Sequence, residues 1–256
     1  MEVMKVQKNA YTGVGSRNTP LYILYMMSKI AMILEKKGYI LRSGCATGAD
    51  AAFEDALLNP SKSAEIYIPN KGFPYKMGTN YKNHYIIPKD KFGESFHGLY
   101  CQATRLIHQK DIHKLWRYIK SSRTMDLHNR NMFQVLGIDL KSKSKFNICF
   151  TKRQELKYED TGKETGGTGT SINASSLYDI ELFNLSVDEH YIRLNKLIDD
   201  NQDLIDYDRL NKIIVRTDYN EKKTDGKFKY DYNHFMERIS NERLIRETKI
   251  KEKASV

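Results

Sequence analysis

The sequence has no apolar run of the roughly 18–20 residues that a bilayer span requires. Met1 to Gly15 lacks the charged start, apolar middle and small-residue cleavage site of a secretory signal. Both absences lead to the expectation of a soluble, cytoplasmic protein with no membrane partner. Cysteine is scarce: Cys45, Cys101 and Cys149 stand far apart with no C-x-x-C, so neither a disulfide framework nor a zinc site is indicated and all three read as buried thiols. The seven histidines form no H-E-x-x-H, and His108 and His113 do not share a helical face, so no metal is expected. Five prolines and 15 glycines are too few for a collagen-like or Pro-rich disordered chain. What remains, 256 residues that are 40% hydrophobic and 29% charged, is a globular chain long enough to bury a core without metals or cross-links.

Charge is unevenly placed. The chain carries +10, and residues 71–153 hold 17 basic against five acidic residues, more than the whole excess. A basic region of this kind suits a polyanionic partner, nucleic acid or nucleotide phosphate, although a solvated Lys-rich face has the same composition.

Short apolar runs ending in Gly-rich turns alternate with helical spacing through the first 70 residues. Ala10–Val14, Tyr39–Ser43 and Ala64–Pro69 read as strands. Leu21–Lys37 reads as a helix with Leu24, Met27, Ile30, Ala31 and Leu34 on one face, stopped by Gly38, and Ala49–Leu58 reads as a second helix. This β-α-β-α-β order predicts a parallel sheet. Residues 103–136 return to helical spacing, Phe146–Phe150 is a strand, a helix lies near Ser171–Tyr178, and Ile180–Leu185 is the last strand. The fold expected is α/β: a doubly wound, mostly parallel Rossmann-like sheet of five or six strands with helices on both faces, spanning residues 1–186.

Two segments depart from that pattern. Residues 70–98 form a basic, aromatic insertion in which Tyr75 and Tyr81 alternate with Lys71, Lys76 and Lys82, the mixture that single-stranded nucleic acid needs for stacking and phosphate neutralisation. Aromatic residues in a long loop also serve to pin it to its own domain. Residues 187–256 read as a charged helical C-terminal appendage, with helical islands at 191–198, 204–215 and 234–245, a frayed end from Lys249, and a capacity to pack on the sheet or to form a homo-oligomer.

Three Gly turns fall at the carboxyl ends of predicted strands, the edge at which open α/β sheets take ligands. The first brings Gly13, Gly15, Ser16 and Arg17 together; the second carries Ser43, Gly44, Thr47, Gly48 and Asp50; the third is Gly166-Gly167-Thr168-Gly169-Thr170. Such turns present amides to phosphate, and Gly lets the anion approach. None is a Walker A loop, and none completes G-x-G-x-x-G. Arg17 and Arg42 flank two of the turns, as phosphate ligands or as structural ion pairs, and Arg130 and Asn131 lie on a helix expected to return over this edge. Asp50 and Glu54 are four apart on one helical face, placed either to act on a sugar or, structurally, to cap the helix and pair with a base.

The run Gly15-Ser16-Arg17-Asn18-Thr19-Pro20, followed by Leu41-Arg42-Ser43-Gly44-Cys45-Ala46-Thr47-Gly48-Ala49-Asp50-Ala51-Ala52-Phe53-Glu54, resembles the SLOG superfamily of Rossmann-like nucleotide-binding proteins. Within it the chain is most similar to the DprA-like proteins common in bacteriophage genomes. Arg130-Asn131, Gln134 to Gly137, Ile148 to Thr151, Gly166 to Thr170 and Phe183-Asn184-Leu185 continue the resemblance in order, over about residues 10–186. The resemblance implies a nucleotide ligand without a required cofactor, a partner that is a nucleotide or single-stranded nucleic acid, and, if phage-encoded, residence in host cytoplasm. Branches of the superfamily mediate recombination on DNA, sense nucleotide-derived signals, or hydrolyse nucleoside monophosphates. The hydrolase branch has a carboxylate three residues after its Gly-Gly-x-Gly-Thr motif, where this chain has Asn173. A neutral amide cannot serve as acid or base there, so binding is expected first, and an N-glycosidase or deoxyribosyltransferase-like enzyme using Asp50 or Glu54 is the alternative.

Overall fold

The computed structural model describes residues 9–69, 84–86, 94–212 and 232–255. Within them the chain builds an all-parallel sheet. Five longer strands are β1 (Ala10–Gly13), β2 (Ile40–Ser43), β3 (Ala64–Ile68), β5 (Phe146–Cys149) and β6 (Glu181–Asn184); β4 (His84–Ile86) is a three-residue edge strand. The spatial order is β4-β3-β2-β1-β5-β6. The register aligns Tyr11 with Leu41, Gly13 with Ile148 and Phe146 with Glu181.

Helices cover both faces, as crossovers between parallel strands require. On one face lie α1 (Leu21–Lys36), α2 (Ala49–Asp55), the single turn α3 (Pro60–Ser63), which leads into β3, α7 (Asp188–Asp199) and α8 (Tyr232–Ala254). Their apolar side chains share a core that includes Tyr11, Leu24, Met27, Phe53, Ile148, Leu194 and Ile239. The opposite face carries α4 (Glu94–Gln109), α5 (Ser122–Leu136) and α6 (Thr168–Leu177), packed through Ile107, Phe133, Leu136 and Ala174. Helix α1 is buried along almost its whole length because α7 and α8 cover the side facing away from the sheet. Helices α7 and α8 thus pack on the sheet domain and contribute Tyr191, Leu194, Ile198 and Ile239 to its core.

The structure adjusts several expected boundaries. Strand β4 and the start of α4 lie inside the 70–98 insertion, where three residues are too few to show a period. The expected helix at 103–136 is two helices separated by a 3₁₀ turn at Trp116–Tyr118. Helix α2 ends at Asp55, and Pro60 opens α3. The end from Lys249 does not fray before Ala254: Arg238–Glu242 and Arg243–Glu247 pairs run along α8, and Lys253 reaches Asp188 at 2.7 Å. Arg42 is a structural side chain. It is 1% exposed, pairs with Glu65 at 2.6 Å and donates to the Ser142 carbonyl, while the Tyr67 hydroxyl donates to Glu65 at 2.9 Å.

Because Arg42 is buried with one carboxylate partner, Glu65→Ala is expected to lower unfolding free energy by about 3–5 kcal/mol. Urea denaturation monitored by circular dichroism measures the loss. A change under about 1 kcal/mol would show that the guanidinium does not depend on Glu65.

Candidate site at the carboxyl edge of the sheet

Crossovers from β1 to β2 and β2 to β3 run over one face, and those into β5 and β6 over the other. The order reverses at β1, whose neighbours are β2 and β5. Carboxyl ends of strands beside such a reversal flank a crevice. Here it is a cavity of about 420 Å³ lined by the loop after β1, by Ala46 and Asp50, by one side of α5 and by the start of α6.

The first wall is Val14-Gly15-Ser16-Arg17. This loop is held by Thr19 Oγ1 donating to the Ser16 carbonyl at 2.7 Å and by the Ala49 amide donating to the same carbonyl at 3.4 Å. Gly48 has φ +84°, and a Cβ there would lie 2.7 Å from Arg17 Cα, so only glycine lets the two loops meet. Arg17 is exposed on the rim, without an ion pair among the described residues.

The second Gly turn is occupied by the protein's own groups. Arg130 Nη1 donates to the Gly44 carbonyl and lies 3.4 Å from Asp50 Oδ2. A Cβ on Gly44 would fall 1.4 Å from that Nη1, so glycine is required by the close approach of the guanidinium. Cys45 has φ +57° and donates its amide to Glu54 Oε1 at 2.7 Å; the Ala46 amide donates to Asp50 Oδ2 at 3.4 Å. Burial, reinforced by the charge of Asp50, pushes the Glu54 carboxyl up to about 8. Asp50 is also raised by burial, with Arg130 opposing the shift. Asp50 lines the cavity; Glu54 sits behind it.

The third wall is made by α5 and α6. Thr12 Oγ1 donates to the Gln134 carbonyl at 2.8 Å and ties the end of α5 to β1. Gln134 is 1% exposed and lines the cavity, with neither Oε1 nor Nε2 hydrogen-bonded among the described residues. Ser171 Oγ, in the first turn of α6, is equally buried and has no partner among the described residues. Asn131 Nδ2 donates to the Gly167 carbonyl at 2.9 Å, joining the two helices, and Asn147 Nδ2 donates to Ser175 Oγ at 3.0 Å, fixing α6 on β5. His128 Nδ1 lies 2.8 Å from Thr170 Oγ1, and burial lowers its pKa to about 3, so the ring is neutral at physiological pH. The Gly169 and Thr170 amides turn back onto the Gly166 and Gly167 carbonyls. The amides of Gly167 and Thr168, at the positive end of the α6 dipole, have no such acceptor in the turn.

Of the residues expected to hold phosphate, Gly15, Ser16, Arg17, Asp50, Arg130, Asn131, Gly166, Gly167 and Thr168 line one cavity. The others do not. Gly13 is packed under Leu41 and Phe53, Ser43 is buried at the end of β2, Gly44 lies beneath Arg130 and Gln134, Thr47 is exposed, Gly48 braces the Arg17 loop, and Gly169 and Thr170 belong to the helical turn behind the rim. Glu54 is bound to the Cys45 amide rather than facing the cavity. Lys71, Tyr75, Lys76, Tyr81 and Lys82 lie outside the described residues. Asn173 donates to the Ile112 carbonyl at 2.7 Å and accepts from Thr161 Oγ1 at 2.8 Å, so it clamps a neighbouring loop. Gln134, His128 and Ser171 were not expected as site residues. Among the described residues no group of three or more His, Cys, Asp or Glu could hold a metal ion, and no helix is long and apolar enough to cross a membrane.

The strand order and the crevice define a Rossmann-like, doubly wound α/β protein with a cavity at its topological switch point. No protein-family model, no curated protein and no solved structure matches the chain.

Two expectations follow. Gly44→Ala must displace the Arg130 guanidinium and is expected to cost about 1–3 kcal/mol in thermal or urea unfolding; an unchanged midpoint would contradict the contact. Since Glu54 is raised to about 8 from an ordinary 4.5, the folded state holds a proton that the unfolded state releases. Its contribution is therefore full below about 4.5 and is lost as pH rises through about 8. Glu54→Gln should flatten the decline of stability across this window, and an unaltered slope would exclude Glu54 as its source.

Proposed function

We propose that the chain binds a nucleotide in this cavity, in the manner that its resemblance to SLOG proteins implies. The observation that carries the reading is the pair of buried, unpartnered side chains, Gln134 and Ser171, facing the cavity beside the open amides of the α6 turn. Buried polar groups normally have partners, and three side-chain atoms and two amides left open around one hollow fit a polar ligand. A volume near 420 Å³ falls in the range of small-molecule pockets, roughly 300–1,000 Å³.

In this reading the phosphate sits on the Gly167 and Thr168 amides, where a helix N-terminus favours an anion, and Arg17 reaches it from the rim. The Gln134 amide offers an NH2 donor group beside a carbonyl acceptor, the pattern that reads a base edge. Asp50, already oriented by Arg130, accepts from sugar hydroxyls. Arg130 is engaged with Gly44 and Asp50, so it shapes the floor and adds positive potential. The same reading includes self-association through α8, on which Leu244 and Ile245 are exposed.

Hydrolysis is the second reading, favoured by one observation: Asp50 is a buried carboxyl that lines the cavity and whose pKa is raised. Glu54 takes no direct part in either reading.

Isothermal titration with a panel of nucleoside monophosphates tests the proposal, with short single-stranded DNA as the competing ligand. Arg17→Ala should weaken binding about tenfold and reduce its salt dependence, and Gln134→Leu should weaken it about 10- to 100-fold, from loss of hydrogen bonds at a buried site. Absence of heat with every phosphorylated compound would sink the reading, and preference for DNA would move it to the polymer. Release of free base by the wild type, lost in Asp50→Asn with binding retained, would select the hydrolase. No release, with Asp50→Asn binding within a few-fold of wild type, selects the binding module.

A further inference from the structure

A second cavity, of about 210 Å³, lies between α1, α7 and α8 and shares no lining residue with the strand-edge site. Tyr22, Tyr25, Met26 and Lys29 recur on α1 at the spacing of one helical face and line it from below. Lys29 is only 8% exposed. A buried ammonium is normally paired with a carboxylate, yet none lies within ion-pair distance of Lys29 among the described residues. Its Nζ stands instead over the Tyr25 ring at 4.6 Å and the Tyr207 ring at 5.4 Å. Arg243 lines the same cavity and repels Lys29, while its own charge is answered by Glu247 at 2.6 Å. Asp199 is the carboxylate whose field favours the Lys29 cation, and its Oδ1 accepts from Gln202 at 3.3 Å. The result is a hollow with one unneutralised cation in it. Met26, Ile198, Met236 and Ile239 make apolar walls, and Asn195 and Ser240 add hydrogen-bonding groups.

We propose that this cavity binds a small organic carboxylate, whose charge pairs with Lys29 and whose apolar body packs against Met26, Ile198 and Met236. The apolar walls favour a carboxylate on a hydrocarbon or aromatic body over inorganic phosphate, which would have to shed its water against methionine and isoleucine. Tyrosine rings beside the ammonium leave it available, since a cation over a π-face retains its N–H donors. The ammonium, held at a lowered pKa of about 8 by burial, is still mostly charged at pH 7, and an anion beside it would raise that value again.

Sodium benzoate is the probe, with benzamide as the neutral isostere and sodium chloride at matched ionic strength as the control. Millimolar benzoate should raise the thermal midpoint of the full chain by mass action, benzamide should raise it far less, and Lys29→Met should weaken the benzoate effect at least tenfold. The Lys29 ε-methylene resonance of the wild type should shift saturably with benzoate and titrate at higher pH in its presence. Equal effects of benzoate and benzamide, an undiminished effect in Lys29→Met, or no effect in the wild type would overturn the proposal. Should Lys29→Met fail to fold, the wild-type resonance decides, and a signal that does not move with benzoate counts against the site. Because the two cavities are separate, the outcome does not depend on nucleotide binding.

Discussion

The direction in which the chain leaves each side of β1 governs the rest of the molecule. Strands β2 and β3 are reached over one face and β5 and β6 over the other, so no crossover helix closes the carboxyl ends between β1 and β5. Loop amides at that place need acceptors, and the three Gly turns obtain them differently. The turn after β2 is supplied from within, by Glu54 on the Cys45 amide and Asp50 on the Ala46 amide. The turn opening α6 keeps two amides open, and the loop after β1 leaves Arg17 on the rim. A single topological reversal thus gathers three turns around one hollow, of which the turn opening α6 has amides without an acceptor among the described residues.

The sealed turn gives the site a rigid floor. Arg130 enters from α5 and can reach the Gly44 carbonyl only because residue 44 has no Cβ. Its charge faces Asp50, while Glu54, displaced upward by burial and by Asp50, holds a proton at neutral pH. The Arg130 guanidinium and the Asp50 carboxyl then face each other across the floor, with the neutral acid behind them. Such a cluster costs desolvation energy and contributes geometry: Asp50 is held in one orientation before a ligand arrives. Gln134 is held similarly, through its own carbonyl and Thr12. Preorganised polar groups lose little entropy on binding.

Gly15, Arg17 and Gly166 to Thr168 were legible in the sequence because glycine at a strand end has a local signature. The parallel, doubly wound class of the sheet was legible for the same reason, since each βα turn marks a strand, whereas the order of the strands comes from the structure. Gln134, His128 and Ser171 were not, since they sit in helices whose period is carried by apolar neighbours, and a buried amide facing a hollow has the same spacing as one packed in a core. The occupation of the second turn was equally hidden, because it depends on Arg130 meeting Gly44 across 86 positions of sequence. Arg42 shows the converse: it stands next to a Gly turn in sequence, but alternation along β2 turns it toward Glu65 and Ser142. Strand β4 escaped notice for want of length, and α8 exceeded its expected end because contacts to Asp188 lie in another helix.

Amide chemical shifts in a ¹⁵N-labelled sample titrated with a nucleoside monophosphate test the central claim most directly. The account predicts saturable shifts centred on the backbone amides of Gly167 and Thr168 and on the Gln134 side-chain amide, with the sealed Cys45 amide moving least among the three turns. If those resonances stay fixed at millimolar nucleotide while others respond, or if none responds, the open rim is not where this protein meets its ligand.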